Sequence, residues 1–251
     1  MPRRFVPLVL LAAVSALVAA CSSSTPYAPP STTPGTSSIF SSLPSPSAVS
    51  GTATAPATRA QLATTVLTAK DMSGWKATAL KDNVAADKAQ SAFTTCIGVP
   101  DSARHRVADV HSPEFKLQGT QVSTESASFT SRADVDRTAA ALLSNKAAGC
   151  FKTLIQAQAK AGLPKGSQLG AVTAQISKPT GADPVNVLAR ATATLPVNVS
   201  GQTVAVYTDV VYLRAPFIQA QVQLVNVGAT VDKELEKSLV STVSDRLAKI
   251  G

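Results

Sequence analysis

Aromatic residues make up only 4% of this 251-residue chain, and histidine occurs twice. With one Trp, three Tyr and seven Phe there is little to stack on bases, and although the formal charge is +8, no basic run exceeds two residues, which argues against nucleic acid as a partner. Cysteine occurs three times, at Cys21, Cys96 and Cys150. These and the two histidines do not cluster, so no four-ligand metal site is expected. Glycine-rich phosphate loops of the Gly-x-Gly-x-x-Gly or Gly-x-x-x-x-Gly-Lys kind are missing, and no cofactor is expected. Gly166-Ser167-Gln168-Leu169-Gly170 has the wrong spacing for a nucleophile elbow.

Long apolar runs are also missing, with one short exception at the N-terminus. Phe5 to Ala20 is apolar apart from interruptions such as Pro7 and Ser15, and follows Arg3-Arg4. Sixteen residues rise about 24 Å as a helix, short of the roughly 30 Å hydrocarbon core, so residues 1–20 read as an export signal and not as a span. Val18-Ala19-Ala20-Cys21 has the form of a bacterial lipobox, which predicts a mature chain starting at an acylated Cys21 and held at the outer face of the cell membrane. Two acyl chains, at about 0.8 kcal/mol per buried CH2, are enough for stable anchoring.

Charge is then missing from Ser22 to Thr58, where 11 Ser, 7 Thr, 7 Pro and 2 Gly occur. Such a composition cannot bury a core, so residues 21–58 are expected to be a lipidated tether reaching about 35 Å as a flexible coil, with Ser and Thr suited to O-glycosylation. The remaining 59–251 is long enough for one domain. Its mature basic excess, without Arg3 and Arg4, is +6.

Periodicity within 59–251 predicts an α+β domain. A short helix is expected over 59–69 and another near 86–93, followed by an irregular excursion over 94–120 through Pro100 and Pro113. Val122 to Thr130 reads as a strand, and Ser131 with Asp134 opens a helix whose apolar stripe runs, with a restart near Asn145, to Gly162. From Val185 to Val199 the apolar residues fall on odd positions, which is the pattern of a strand with one buried face. Ser200-Gly201 is a hairpin signal, Val204 to Leu213 is apolar on both faces, and Ile218, Ala220, Val222 and Leu224 alternate with outward Gln219, Gln221 and Gln223. A closing helix follows over 231–249. The expected assembly is an antiparallel sheet, a C-terminal three-strand meander plus at least one further strand, with helices on one face.

With Cys21 acylated, Cys96 and Cys150 remain in an exported domain, where a disulfide between them is expected over two buried free thiols. It would tie the 94–120 excursion to the helix bearing Cys150. His105 and His111 fall in that excursion and read as solvated loop residues, and a hydrolase built on His111 with Ser112 or a distant serine is a third-ranked reading. Tyr207 and Asp209 share a strand face, and with Tyr212 and Arg190 they are candidate ligand-binding residues. The competing reading pairs Asp209 with Arg190 or Arg214 across the sheet. Ala189, Ala191 and Ala193 suit either a close-packed helix or a cavity floor.

The lipobox, the strand leading into the Ser131 helix, Ala147-Ala148-Gly149-Cys150-Phe151, the meander and the closing helix together resemble actinobacterial envelope lipoproteins whose domain is similar to the extracellular sensor domain of the kinase PknH. A lesser likeness is to LpqN-type lipoproteins of PsbP-like fold. The first resemblance implies a cleft between sheet and helices and no catalytic motif; that family carries two disulfides, whereas this sequence can form one. The expected function is therefore non-enzymatic: binding or sensing of a small or apolar ligand, such as a lipid, in that cleft. The alternative is a module docking on another envelope protein or a cell-wall polymer.

Overall fold

A computed structural model describes residues 53–80, 84–100 and 102–250. Helix α1 (Arg59–Ala63) is opened by Thr58, whose hydroxyl accepts from Gln61 while the Gln61 side chain returns to the Thr58 backbone. It ends earlier than the expected 69 because Thr64 and Thr65 turn their hydroxyls onto the carbonyls of Gln61 and Leu62. There follow β1 (Lys76–Thr78), α2 (Val84–Ile97), a 3-10 turn (Ser102–His105), β2 (Arg106–His111), β3 (Glu114–Leu117) and β4 (Thr120–Phe129). The stretch 94–120, expected to be irregular, thus holds the end of α2, the 3-10 turn and the strands β2 and β3. Then come α3 (Arg132–Leu142), capped by Ser131, α4 (Ala147–Gly162), β5 (Gln168–Leu169), β6 (Thr173–Ser177), β7 (Val187–Val199), β8 (Gln202–Ala215), β9 (Ile218–Val227) and α5 (Lys233–Leu247).

The α+β class and the meander hold. The nine strands make one antiparallel sheet in the order β1-β3-β4-β9-β8-β7-β5, with β2 also on β4 and β6 also on β7. Two-residue turns at Gln118-Gly119 and Ser200-Gly201, all four residues at positive φ, match the right-handed twist of the hairpins they close. Val185, at the expected start of β7, is 67% exposed and precedes the strand.

The helices pack on both faces of the sheet and not on one. Helices α2, α3 and α4 share an apolar cluster with Ala189, Ala191, Ala193, Leu195, Val206, Val210 and Val225. Helices α1 and α5 share another with Val122, Val211, Leu213, Ile218, Val222 and Leu224. The reason lies in β8, whose successive apolar residues Val210 and Val211 point to opposite faces, so each face needs its own cover. The row of alanines on β7 belongs to the α4 cluster, the close-packed helix of the two alternatives.

Candidate ligand cleft

Sequence reasoning grouped four residues that the sheet separates. Tyr207, Asp209 and Arg190 lie on the α5 face, while Tyr212, one residue out of phase with Asp209 on β8, lies on the α4 face. Asp209 pairs with Lys233, and neither Arg190 nor Arg214 is its partner. Lys233 continues to Glu236 at 2.8 Å, Arg190 grips Glu236 from the other side, and Arg190 Nε donates to Asp183 at 3.0 Å. These five residues form a clasp from β7 and β8 to the start of α5 and the loop ahead of β7, and every charge in it is opposed. Arg214 pairs with Asp136 of α3 at 3.0 Å.

The α4 face carries the more unusual arrangement. Cross-strand register places His111, Glu125, Gln221 and Tyr212 in one row across β2, β4, β9 and β8. Beside it runs the row Ser123, Gln223 and Val210; on the other side lie Asp109, Ala127, Gln219 and Arg214. Gln219, Gln221 and Gln223 therefore face the helices, and Gln219 donates to the Val135 carbonyl of α3 at 3.2 Å. His111 is a half-buried strand residue and not a loop residue.

Within the row, Arg106 Nη1 lies 3.3 Å from Glu125 Oε1, and Gln221 donates to Glu125 Oε2 at 2.8 Å. Arg106 also sits over the Phe129 ring, 5.8 Å from its centre. Burial pushes the Glu125 carboxyl up despite Arg106, and pulls the Arg106 guanidinium down to about 10 despite Glu125 and Asp109. His111 Nε2 is 3.4 Å from Asp109 Oδ2. The hydrogen bond from His111 holds Asp109 below the usual carboxylate range. Burial acts to lower the His111 imidazole, yet Asp109 and Glu125 outweigh it and the net shift is upward. Burial first, and then the Glu125 charge, push the Tyr212 phenol up, so the hydroxyl stays a donor.

Several neutral polar side chains on this face are buried. Gln223 is 6% exposed and Ser123 7%, and Thr208, diagonal to them on β8, is fully buried with its hydroxyl unpaired. A buried hydroxyl such as that of Thr208 costs about 1–3 kcal/mol when left unsatisfied, and native proteins satisfy nearly all such groups with protein, water or ligand. None of these polar residues except Tyr212 was singled out from the sequence. The signal was there in Glu125, a charge at the middle of a strand, beside three alternating glutamines.

A small cavity of about 70 Å3 opens at the Phe129 end, between Gly98–Pro100, His105 and Asp134. His105 Nδ1 is 3.3 Å from Asp134 Oδ2, which also accepts from Ser131 Oγ at 2.7 Å and Thr130 Oγ1 at 3.0 Å. Asp134 is thereby committed to the start of α3. Cys96 and Cys150 are disulfide-bonded, with Cα atoms 5.8 Å apart, joining the last turn of α2 to the first of α4. No group of three or more metal-ligating side chains occurs, and no helix is long and apolar enough to cross a membrane, among the described residues. Cys21 and the signal segment lie outside the described residues.

No protein-family model and no curated protein matches the chain. Among solved structures, it is similar to the extracellular domain of PknH from Mycobacterium tuberculosis, at 11% identity and a TM-score of 0.39 over 77% of this chain and 98% of that one.

Proposed function

We propose that this protein is a lipid-anchored, extracytoplasmic binding module without catalytic activity, which seats a small ligand against the α4 face of its sheet. The N-terminal Arg-Arg, apolar run and Cys21 support the anchor and the address. The observation that carries the binding reading is the run of neutral polar residues Ser123, Gln221, Gln223 and Tyr212 turned toward the helices on adjacent strands, beside the buried, unpaired hydroxyl of Thr208. An apolar residue of similar shape at Thr208 would remove the cost of its unpaired hydroxyl. Binding sites keep a few convergent polar groups in an otherwise apolar cleft. The docking alternative would need a contiguous exposed apolar patch. Among the described residues the exposed large apolar side chains are Val107, Leu117 and Val185, scattered over β2, the end of β3 and the approach to β7.

Native mass spectrometry of protein purified from its own membranes tests the reading. A discrete co-purifying mass is expected on the wild type and not on Gln223→Leu, which keeps a side chain of some bulk and removes the amide. Wild type and variant each at the mass of its bare chain, with nothing bound to either, would refute it.

A further inference from the structure

Without Arg3 and Arg4 the chain carries a net charge of +6, and that excess is confined to one stretch of it. Residues 137–182 hold Arg137, Lys146, Lys152, Lys160, Lys165 and Lys178 and no acidic residue, while the rest of 21–251 has 15 cations and 15 anions. The stretch comprises the second half of α3, then α4, β5 and β6, with α4 packed on β6 at the β7 end of the sheet. Lys146 is the N-cap of α4, Lys152 and Lys160 lie on its outer face, Lys165 follows it and Lys178 follows β6. Arg137 lies 3.6 Å from Asp134, but the five lysines are exposed and make no ion pair among the described residues. The lysines that do pair, Lys116 and Lys233, are elsewhere. Helix α4 also has no acidic residue in its first turn, where α5 has Glu234 and Glu236, so the positive end of its dipole adds to the lysines unopposed.

Charge of this kind fits an extended anionic surface better than a single anion or a protein. Where the fold grips one carboxylate it uses arginine, as Arg106 does for Glu125, Arg190 for Asp183 and Arg246 for Asp71, because the planar guanidinium matches a carboxylate in fixed geometry. Five lysines, each a compact hydrated charge on a flexible stem, suit many mobile phosphates instead. Protein interfaces are poor in lysine and centre on large side chains that fill pockets. None of the exposed large apolar residues, Val107, Leu117 and Val185, falls within 137–182. The route of the chain also brings this face to a membrane. Arg132 at the start of α3 donates to the carbonyl of Ala53, so the segment from Cys21 joins the domain beside the helix that bears Arg137. The composition of 22–52 gives that segment a reach of about 30 Å, more than the rise of about 24 Å along α4. We propose that the lysine face of α4 and the end of β6 rests on the anionic phospholipid surface of the membrane that holds the anchor, which turns the α5 face of the sheet outward. This goes beyond the ligand reading and shares with it only the anchor.

The experiment places the protein, purified from its own membranes, on vesicles of phosphatidylcholine alone or with about a third of phosphatidylglycerol. Its lysines are then labelled with an amine-reactive reagent and read by peptide mass mapping. On the anionic vesicles labelling of Lys146, Lys152, Lys160, Lys165 and Lys178 should fall about threefold or more, while Lys70, Lys237 and Lys249, exposed elsewhere, stay unchanged. High salt should remove the difference. Lys152→Glu/Lys160→Glu, which breaks no ion pair among the described residues, should keep the circular dichroism of the wild type and restore labelling at Lys146, Lys165 and Lys178. Equal labelling on both vesicles, protection shared by Lys237 and Lys249, or protection that survives the double variant overturns the proposal. So does protection conferred only by added polygalacturonate, which would assign the face to an anionic polymer. Flotation tests the anchor separately. A chain that floats with neutral vesicles but shows no selective protection on anionic ones keeps the anchor and loses the docked face. Flotation with anionic vesicles alone, with the selective protection, keeps the face and removes the anchor, and flotation with neither removes both.

Discussion

Arg190 shows how far a single residue type can be read without the fold. As a cation on a strand next to an interrupted apolar face it suggested a ligand contact, yet it holds Glu236, whose side chain is 3% exposed, and Asp183, 7% exposed. Removing it would leave Glu236 buried with only Lys233, itself 66% exposed, as counter-ion. Arg190→Met is therefore expected to destabilise the protein by about 3 kcal/mol, as breaking a buried ion pair does, without weakening the binding proposed for the opposite face. Denaturant melts beside a binding titration check this, and a variant of full stability with weakened binding would return Arg190 to the ligand site. His111 supports a second test. Its imidazole is raised in the folded state from the ordinary 6.5 by Asp109 and Glu125 against the opposing effect of burial. Because the folded value lies above the unfolded one, the stability it contributes is fully present below about pH 6.5 and is lost as pH rises through the folded value. The stability difference between wild type and His111→Gln, measured by urea unfolding, should accordingly be larger at pH 5.5 than at pH 8.5. A constant difference would mean that the imidazole does not titrate in this setting.

Elements were more legible than the residues they carry. The meander, the Ser131 cap and the closing helix follow from alternation, turn chemistry and four-residue spacing, all of them local. Helices on both faces did not follow, although the apolar residues of β8 on both sides already required two covers; one buried face was assumed because β7 and β9 alternate cleanly. That assumption also turned Gln219, Gln221 and Gln223 outward and hid the polar rows they complete on the α4 face. The segment 94–120 escaped because β2 and β3 are short and take their register from β4, a partner that local sequence does not announce. The disulfide is consequently a clamp between two helices and not a tie to an irregular excursion. Phe93 against Phe151, with ring centres 6.4 Å apart, and the burial of Ala89 and Ile97 hold α2 to α4 beside it. Closing a loop with a sequence separation of 54 residues is worth up to about 4 kcal/mol in the chain-entropy account. The Cys96→Ala/Cys150→Ala pair should lose stability on this scale, with faster amide exchange over 88–105 while β7, β8 and β9 stay protected. Exchange rising uniformly across the sheet would show that α2 is not a separable layer.

For the molecule as a whole, the question is where the tether stops and the domain starts. Composition puts the change at Arg59, where charge returns, but the fold reaches further upstream. Ala57 is 5% exposed, Ser128 Oγ on β4 donates to its carbonyl at 2.8 Å, and Arg132 donates to the carbonyl of Ala53. Thr58 caps α1, and the chain beyond it is bound to the same face of β4, Thr65 Oγ1 to Ser126 Oγ at 2.6 Å and the Leu67 N–H to Thr124 Oγ1 at 2.9 Å. The hydroxyls of Thr124, Ser126 and Ser128 thus form a polar seam that receives the incoming chain, and this explains why so buried a strand is rich in Ser and Thr. Cutting at Arg59 removes the cap and leaves Ser128 Oγ unpaired, a loss of about 2 kcal/mol. For a domain of this size that is a fall of about 4–8 °C in melting temperature. A chain starting at Ala53 should instead melt with one starting at Ser22, because residues 22–52 carry no charge and too few apolar groups to add to a core. Three calorimetric scans decide it: equal melting from Ala53 and Arg59 would remove the seam from the stability of the fold, and a fall between Ser22 and Ala53 would mean that the tether packs on the domain it was expected only to carry.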